Sequence, residues 1–519
     1  MNSMNFPTAP QADIALLLEG TFPYVRGGVS SWIFQMINAY PEYRFAVVFL
    51  GSRPQDYGDI KYTFPDNIVH VEAHYLHGAH IPPLVQAQSG DAATLEHIAT
   101  LHQAFRNGKG DTVCAFAQLA HLLKSGEIDE KFFLYSRQAW EFITQNYRQY
   151  CTDPSFIDYF WAVRAMHEPI WVMARIAANL IPVRAFHTIS TGYAGFLGTL
   201  LKDRTGKPLI LSEHGIYTKE RKIDLYQSAW IRDNRNVFEK DPTEVSYFRE
   251  LWMRFYTSLG RLCYHHADII TALYEANRQR QITDGAPSAR TRIIPNGIDL
   301  ARFQPVRAKR PKLPPPILCL IGRIVSIKDV KTFIRMMRTV VNRMPEAEGW
   351  IAGPEDEDPG YAEECHNLVA SLGLTDKVKF LGFQKVEVVL EKIGLVVLSS
   401  ISEALPLVLL EGFAAGVPAL TTDVGSCRQL IYGLEPEDRA LGAAGAVVRI
   451  ADPQAMAAAA IKLLRPENWL PARVAAIARV ERYYTQTIMF NEFKQVYKEA
   501  LNPDPAIDGL LAMQAIEEE

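Results

Sequence analysis

The chain alternates short apolar segments with amphipathic ones, and this alternation constrains its fold more than any other feature. The segment 12–20, ADIALLLEG, ends in a glycine and precedes a segment of helical periodicity, after which 44–51, RFAVVFLG, is apolar again. A strand, a helix and a second strand in this order imply a parallel sheet. Similar strand-like segments occur at 184–190, 208–215 and 268–275. We therefore predict a doubly wound α/β domain here.

The same alternation starts again after a basic, proline-rich segment. Residues 306–316 include three consecutive prolines, which cannot continue a helix or a central strand. We interpret this segment as a linker between an N-terminal domain at 1–305 and a C-terminal domain at 313–480. The strand-like segments of the second domain are ILCLIGR, GWIAGP, KVKFLGF, LVVLSS, PALTTD and GAVVRI. Two Rossmann-like domains are predicted, with their strand ends facing a central cleft.

Two further segments depart from this alternation. Residues 76–180 are rich in aromatic side chains and have helical periodicity, so they predict a helical insertion in the N-terminal domain. Residues 482–501 have the pattern of an amphipathic helix.

Composition excludes several classes of function. The 519 residues exceed one hydrophobic core, and a net charge of -4 gives no indication of a nucleic-acid partner. The six cysteines form no CxxC pair, which favours a reducing compartment. No basic segment precedes the first apolar run, and no apolar stretch reaches the roughly 20 residues of a membrane span. We expect a cytoplasmic protein.

The segment RGGVSSW lies between the first predicted strand and the first helix. Gly27 and Gly28 would let a ligand approach the backbone, and Ser30 or Ser31 would cap the helix. Free N–H groups and the helix dipole would favour an anion such as a diphosphate. An ordinary turn before a helix is the alternative interpretation.

Three more candidates follow predicted strands. His214, after PLILSEH, could bind substrate or move a proton, or it could be structural. Arg323 and Lys328 lie five residues apart across a turn after the first strand of the second domain. Two cations there suit a pyrophosphate and would hold the charge of a leaving nucleoside diphosphate. The alternative is a solvated surface pair.

The stretch SSISEALPLVLLEGFAAGVP places Glu403 and Glu411 on either side of seven uncharged residues. Pro406 and Gly416 suit the start and the end of a helix at about 406–415. Glu403 would then lie in a loop and Glu411 on a helix, which disfavours a carboxylate dyad. Because carboxylate oxygens accept hydrogen bonds from sugar hydroxyls, both could contact a ligand. Solvated surface positions are the alternative.

Two segments resemble metal sites without the expected geometry. One contains four histidines with helical spacing: His70, His74, His77 and His80. We expect IVHVE to form a strand on which these histidines do not share a face. The other, EDED, contains Asp356 and Asp358 after GWIAGP, and we interpret it as a solvated loop. No metal is expected.

The motifs are more specific together than singly. The glycine loop, IPNGID, GR-x4-K, and SEALPLVLLEGFAAGVP followed by TTDVGSCRQLI resemble the retaining GT-B glycosyltransferases of family GT4. The resemblance covers most of the chain apart from the helical insertion. ADIALLLEGTFPYVRGGVSSWI, SEHGIYTKER and RIIPNGID are further similar to the glycosyltransferases of Pel exopolysaccharide synthesis in bacterial biofilms.

The resemblance implies a role for each matching residue. Glu403 would contact the hydroxyls of the donor sugar, and Glu411 would hold the ribose of the nucleotide. Arg323 and Lys328 would bind the donor diphosphate, and His214 would lie near the reacting sugar.

The same resemblance implies backbone contacts. Gly27 and Gly28 match a loop whose backbone approaches the diphosphate and the sugar. Three more residues would place their backbone near the donor: Leu405, Pro406 and Leu407. The chain departs from the commoner form of this motif, because Ala404 and Pro406 stand where glycines are usual.

The implied activity is transfer of a hexose from a UDP-sugar, UDP-Glc or UDP-GalNAc, to a growing exopolysaccharide, with retention and without a metal or other cofactor. The helix at 482–501 would cross back to the N-terminal domain, and inner-membrane Pel synthase proteins would be partners. Two other functions stay open: a UDP-sugar epimerase or hydrolase, and a non-catalytic subunit of a membrane synthase complex. The four charged candidates of the second domain argue against the latter.

Overall fold

The chain folds into two compact units. The computed structural model describes residues 6–77, 92–107, 112–228, 230–236 and 244–502. Unit 1 comprises Met1–Ala272, Arg278–Arg292 and Lys494–Glu519, and unit 2 comprises Leu273–Asn277 and Ile293–Phe493.

Unit 1 is built on a seven-stranded sheet of order β3-β2-β1-β4-β5-β6-β7. Its strands are β1 Ile14–Glu19, β2 Phe45–Gly51, β3 Ile68–Tyr75, β4 Ala185–Thr188, β5 Leu209–Glu213, β6 Ile269–Ala272 and β7 Thr291–Ile293. Pairing from β3 through to β6 is parallel, as the alternation of segments predicts. The strand order reverses between β1 and β4, which makes this edge the expected ligand-binding position of the sheet.

Helices connect the strands of unit 1. In the described residues they are α1 Gly28–Ala39, α2 Ala92–Asn107, α3 Thr112–Ser125, α4 Glu130–Tyr135, α5 Arg137–Tyr150, α6 Phe156–Asn179, α7 Tyr193–Thr205, α8 Tyr217–Gln227, α9 Tyr247–His266 and α10 Glu275–Thr283. The helical insertion predicted at 76–180 is confirmed for its described part, because α2 to α6 all lie between β3 and β4. Residues 78–91 and 108–111 of the predicted range lie outside the described residues. Phe116 and Met173 of the insertion are fully buried in the core of the unit.

Unit 2 has a six-stranded parallel sheet of order β10-β9-β8-β11-β12-β13. The strands are β8 Ile317–Ile321, β9 Glu348–Ala352, β10 Val378–Gly382, β11 Leu395–Leu398, β12 Ala419–Thr422 and β13 Gly445–Val448. The remaining helices are α11 Leu300–Lys309, α12 Val330–Arg343, α13 Pro359–Ser371, α14 Val386–Leu390, α15 Leu407–Ala414, α16 Cys427–Tyr432, α17 Pro436–Arg439, α18 Pro453–Leu463, α19 Pro466–Tyr483 and α20 Gln486–Leu501. Here the order reverses between β8 and β11.

The predicted linker at 306–316 is wrong for its first four residues, which complete α11. Asp299 caps this helix by accepting a hydrogen bond from Ala301 N at 3.0 Å. Arg310 follows it and is buried, donating to the carbonyl of Ile393 at 2.7 Å. These contacts hold the segment within unit 2, so the compact units divide before residue 305.

The last helix starts later than predicted, because the backbone of Ile298 forms hydrogen bonds with residues at the junction of α19 and α20. Residues 482–483 end α19, and Ile298 N then donates to Tyr484 O at 2.8 Å while Gln486 N donates to Ile298 O at 3.1 Å. From Lys494 onward α20 belongs to unit 1, where the buried Tyr497 hydroxyl lies 2.9 Å from His187 Nδ1.

Within the described ranges, every helix is too short or too polar to cross a membrane.

Candidate functional site

Unit 2 brings a lysine and a glutamate together where its strand order reverses. A glycine turn and a short 3-10 helix lead from β8 to Lys328, and a loop leads from the neighbouring β11 to Glu403. Lys328 Nζ lies 2.5 Å from Glu403 Oε1, and the two side chains are only 22% and 12% exposed. A cation and an anion are therefore held side by side at the carboxyl edge of the sheet, where open α/β sheets bind ligands.

Hydrogen bonds between the two loops fix this ion pair. Ser400 Oγ donates to Glu403 Oε1 at 2.6 Å. Ser399 Oγ donates to the carbonyl of Lys328 at 2.9 Å, and Ile401 N donates to the carbonyl of Ile327 at the same distance. The lysine and the glutamate thus share supports on adjacent strand ends.

A third loop, after β12, holds the backbone beside Glu403, and we did not single it out as a site from the sequence. Gly425 has a φ of +53°, and a Cβ there would lie 2.3 Å from Glu403 O and 2.4 Å from Ala404 O. Ser426 N donates to Ala404 O at 2.9 Å. Any side chain at Gly425 would displace the segment that carries Glu403. The glycine within TTDVGSCRQLI was the signal for this contact.

Arg323 does not join the lysine–glutamate pair. Its guanidinium lies 2.5 Å and 2.6 Å from the two oxygens of Glu357, and both side chains are about half exposed. Glu357 belongs to EDED, in which Asp358 also accepts a hydrogen bond from Tyr361 N at 3.2 Å and caps α13. This acidic segment therefore has structural partners, and the role of Arg323 stays a prediction.

Glu411 lies on α15, in which Leu409, Leu410, Phe413 and Ala414 are fully buried. Burial raises the pKa of Glu411 to about 7, although Arg302, with Nη1 3.4 Å from Glu411 Oε1, acts in the opposite direction. The carboxyl group can therefore be neutral or ionised near neutral pH. Gly416 ends the helix region with a φ of +74°, as expected.

Pro406 precedes the first residue of α15 as its N-cap. Proline has no N–H group, so only Leu405 and Leu407 could offer backbone donors among the three residues predicted to approach the donor. Glu403 lies in the loop and Glu411 on the helix, as predicted.

The glycine loop of unit 1 differs from its prediction in one respect. Gly27 is the N-cap of α1 and no side chain caps the helix, so the expected capping by Ser30 or Ser31 is wrong. Both serines lie inside the first turn, since the helix begins at Gly28. A Cβ at Gly27 or Gly28 would have no heavy atom within 4 Å. The fold does not require glycine here for space, and the backbone is open to a ligand.

His214 follows β5, as predicted. Its ring meets that of Trp32 edge-on with the centroids 4.6 Å apart. Burial lowers the pKa of His214 to about 4. The imidazole is therefore neutral at pH 7 and suited to hydrogen bonding rather than to carrying a charge.

Unit 1 also contains a cavity of about 380 Å³ at the edge of its sheet where the strand order reverses between β1 and β4. Residues that follow β1, β2, β4 and β5 line it, together with residues of α8. The lining includes His214 and a group of aromatic and charged side chains that we did not single out from the sequence: Glu19, Tyr193, Tyr217, Glu220, Arg221 and Tyr256.

Hydrogen bonds hold Glu19 at the wall of this cavity. Tyr217 OH donates to Glu19 Oε1 at 2.9 Å, and Ala194 N donates to Oε2 at 3.2 Å. Arg221 Nε donates to the Tyr217 hydroxyl at 3.0 Å. A Cβ at Gly192 would lie 2.3 Å from the Tyr217 ring and 2.7 Å from Glu19 Oε2. The fold therefore fixes Glu19 and Tyr217 closely against each other.

The histidines of β3 are correctly placed on a strand, but the expectation that they share no face is wrong for two of them. His70 and His74 lie on the face of Glu72, and each Nε2 is 2.8 Å from one of its oxygens. His80 lies outside the described residues. In the part of the chain that the structure describes, no group of three or more His, Cys, Asp or Glu side chains is arranged to hold a metal ion.

The fold and the domain content define a class of protein. Sucrose-phosphate synthase from Thermosynechococcus elongatus superposes with a TM-score of 0.54 at 18% identity, over 94% of this chain and 98% of that one. HepE from Anabaena, in complex with UDP and glucose, gives 0.54 at 15% identity, over 94% and 99%. Residues 315–466 match the family model Glycosyl transferases group 1. The chain therefore has the GT-B fold, and its second unit contains the match to a glycosyl transferase family model.

A second family model covers a larger part of the chain. Residues 12–289, more than half of the chain, match Domain of unknown function (DUF3492), and the chain belongs to this family.

Curated relatives match in part. The D-inositol 3-phosphate glycosyltransferase of Nocardia farcinica is 31% identical over 164 residues, 29% of this chain and 36% of that protein. Its counterpart in Rhodococcus erythropolis is 28% identical over 244 residues, 45% of this chain and 51% of that protein. The chain thus spans a third to a half of the length of these two relatives.

Proposed function

We propose that the chain is a retaining glycosyltransferase that transfers a hexose from a UDP-sugar, UDP-Glc or UDP-GalNAc, to a growing polysaccharide. The observation that carries this proposal is the Lys328–Glu403 pair at the reversal of strand order in unit 2, the unit that contains the glycosyl transferases group 1 match. A cation suits the diphosphate of such a donor, and a carboxylate suits the hydroxyls of its sugar. The complexes of HepE with UDP and glucose and with UDP-glucose support a UDP-sugar donor.

In the proposed reaction the bond between the anomeric carbon and the diphosphate oxygen breaks, and the acceptor hydroxyl oxygen bonds to the same face. The hydroxyl proton passes to the leaving diphosphate. Lys328 and Arg323 stabilise the charge that develops on UDP, without a metal ion. Glu403 binds hydroxyls of the donor sugar, with Lys328 and Ser400 holding its carboxylate in place. Glu411 binds the ribose.

The remaining assignments to the donor stay predictions of the sequence. They are the backbone contacts of Gly27, Gly28, Leu405, Pro406 and Leu407, and a hydrogen bond from the neutral His214. The open space above Gly27 and Gly28 supports the close approach of a ligand to this loop.

The finer part of the proposal is a role in Pel exopolysaccharide synthesis, in the manner of the glycosyltransferase PelF. It is supported by the similarity of ADIALLLEGTFPYVRGGVSSWI, SEHGIYTKER and RIIPNGID to that group. The chain would then act at the cytoplasmic face of the inner membrane by docking to Pel synthase proteins.

A donor screen tests this function. The full chain is incubated with UDP-Glc, UDP-GlcNAc, UDP-GalNAc or ADP-glucose and an oligosaccharide acceptor, and NMR follows the products. We expect UDP release and an α-linked product with a UDP-hexose, and neither with ADP-glucose. Free sugar or an epimer without any glycosidic product would instead indicate the hydrolase or epimerase. Absence of all nucleotide binding would indicate the non-catalytic subunit.

A further inference from the structure

We infer that the cavity of unit 1 binds an uncharged, hydroxyl-rich carbohydrate as the acceptor through Glu19 and disfavours phosphorylated acceptors. The inference rests on the proposed function, since a transferase needs a second substrate besides its donor. The candidate donor residues Lys328 and Glu403 belong to unit 2, whereas this cavity is lined by residues of unit 1.

The position and size of the cavity suit a small saccharide. It opens at the carboxyl ends of β1 and β4, where the strand order of the sheet reverses. Its volume of about 380 Å³ lies at the lower end of the range of small-molecule sites, roughly 300 to 1,000 Å³. One or two sugar rings would fill such a space.

Tyrosine rings form much of the cavity wall. The ring centroids of Tyr193 and Tyr256, and those of Tyr217 and Tyr256, are 5.9 Å apart in edge-to-face arrangements. Burial raises the pKa of Tyr256 to about 12 and raises the pKa of Tyr193 and Tyr217 well above its usual value, so all three hydroxyls are protonated at neutral pH. Such rings offer an apolar face to the C–H groups of a pyranose and a neutral hydroxyl to its oxygens.

The charges of the lining favour a neutral ligand over an anion. Among the described residues of the lining, the carboxyl groups are those of Glu19 and Glu220, and the one lysine or arginine is Arg221. Arg221 is already engaged, because Nε donates to the Tyr217 hydroxyl and Nη2 lies 3.9 Å from Glu19 Oε1. Burial lowers the pKa of the lining histidine His77, which disfavours its cationic form. A phosphate would meet two carboxyl groups, and like charges in contact oppose binding.

Glu19 has capacity left for a ligand. A carboxylate offers about four acceptor positions. In the part of the chain that the structure describes, three hydrogen-bond donors approach Glu19, namely Tyr217 OH, Ala194 N and, at 3.4 Å, Ser190 Oγ. The remaining position can accept a sugar hydroxyl.

Tyr217 is a positioning residue for Glu19. The buried Glu213 fixes its backbone, since Glu213 Oε1 accepts a hydrogen bond from Tyr217 N at 3.2 Å. Its hydroxyl lies between Arg221 and Glu19.

Saturation-transfer NMR on the full chain, without any nucleotide, tests the inference with N-acetylglucosamine and N-acetylglucosamine 6-phosphate. We expect the affinity for the neutral sugar to be at least about tenfold higher than that for its 6-phosphate. Glu19→Gln should weaken the neutral sugar by a similar factor, the typical effect of losing a hydrogen bond to a charged group. Glu141→Gln, which changes an exposed carboxylate of the same unit that pairs with Arg137 outside the cavity, serves as the matched control and should leave saccharide binding unchanged.

Glu220→Gln tests the discrimination between the neutral sugar and its phosphate, which a purely structural role of the residue would leave unchanged. Removing this carboxyl group should strengthen binding of the 6-phosphate more than that of the neutral sugar. Equal or tighter binding of the phosphate by the wild-type chain would overturn the inference. So would unchanged binding of the neutral sugar by a Glu19→Gln chain that keeps the wild-type circular dichroism spectrum and melting temperature.

UDP titrations of the same samples separate this inference from the proposed function. UDP binding without saccharide binding overturns the inference alone. Saccharide binding without UDP binding supports the carbohydrate site and overturns the proposed function.

Discussion

The two units place different chemistry at the same position of their sheets. In unit 2, an ion pair of 2.5 Å joins the strand ends at the reversal of strand order. In unit 1, the corresponding edge has tyrosine rings, a hydrogen-bonded carboxylate and one engaged arginine. The first arrangement suits a ligand that carries both a diphosphate and a sugar. The second suits an uncharged saccharide. Each sheet thus has an edge at which a ligand can bind, and the side chains at that edge determine which ligand it is.

The largest expected effect is that of Lys328→Ala, which removes the cation of unit 2. Loss of a group that stabilises the leaving diphosphate should lower kcat/KM for the UDP-sugar about 10²- to 10³-fold. Saccharide binding in unit 1 should be unaffected. Steady-state kinetics with the best donor of the screen measure the effect.

Lys331→Ala is the matched control for this substitution. Lys331 lies three residues further on, and its ammonium pairs with Glu364 rather than Glu403. We expect nearly wild-type kinetics from this variant. Equal losses in both lysine variants would mean that the Lys328–Glu403 pair has no special role.

Gly425→Ala should have the next largest effect, because its Cβ would lie 2.3 Å from Glu403 O. We expect transfer to fall roughly tenfold as Glu403 is displaced, in line with the cost of misplacing a substrate-positioning group. Gly373→Ala is its control, with a similar φ of +63° but no heavy atom within 4 Å. Similar losses of transfer in both variants would attribute the effect to backbone strain and not to Glu403.

A smaller effect is expected at Glu411, which should make the affinity for UDP depend on pH. Its pKa of about 7 means that the carboxylate, for which we propose hydrogen bonds from the ribose hydroxyls, forms as the pH rises through neutrality. UDP affinity should therefore increase a few-fold more between about pH 5.5 and 8.5 in the wild-type chain than in Glu411→Gln. Titration of the UDP phosphates is common to both proteins and cancels in the comparison. Parallel pH profiles would remove Glu411 from the ribose site.

The carboxyl group of Glu411 should also make the folded chain less stable as the pH rises. Its folded-state pKa is raised, so between about pH 4.5 and 7 the folded chain holds a proton that the unfolded chain has lost. This contribution to the free energy of unfolding is fully present below about pH 4.5, declines as the pH rises from there to about 7, and is lost above 7. The difference in melting temperature between wild type and Glu411→Gln should therefore change between about pH 4.5 and 7 and stay constant at higher pH.

His214→Gln should have the smallest effect. With a pKa lowered to about 4, the imidazole is neutral throughout the neutral range and is a weak base. We expect a loss of transfer of less than about tenfold, below the 10²- to 10⁴-fold of a general acid or base. A larger loss, with a pH profile that changes its inflection in the variant, would show that His214 moves a proton.

The sequence was most informative where motif and secondary structure coincide. The loop position of Glu403, the helix that carries Glu411 and the placement of His214 after a strand all follow from apolar segments flanked by proline and glycine. The contact between Lys328 and Glu403 could not be predicted, because it depends on β8 lying next to β11.

The cavity of unit 1 was missed for a related reason. Glu19, Tyr193, Tyr217 and Tyr256 are spread over most of the first unit and meet only through the strand order. No short motif joins them. The expected serine cap of α1 failed because the helix already begins at Gly28. The hydrogen bonds that separate α19 from α20 join Ile298 to Tyr484 and Gln486, which also lie far from Ile298 in the sequence.

Titration calorimetry of UDP into the wild-type chain, Lys328→Ala and Lys331→Ala tests the central claim, that unit 2 binds a UDP-sugar through Lys328, most directly. We expect UDP to bind the wild-type and Lys331→Ala chains with similar affinity and Lys328→Ala at least about tenfold more weakly, the typical effect of losing a charge-assisted contact. Failure of the wild-type chain to bind UDP, or undiminished binding by Lys328→Ala, would contradict it.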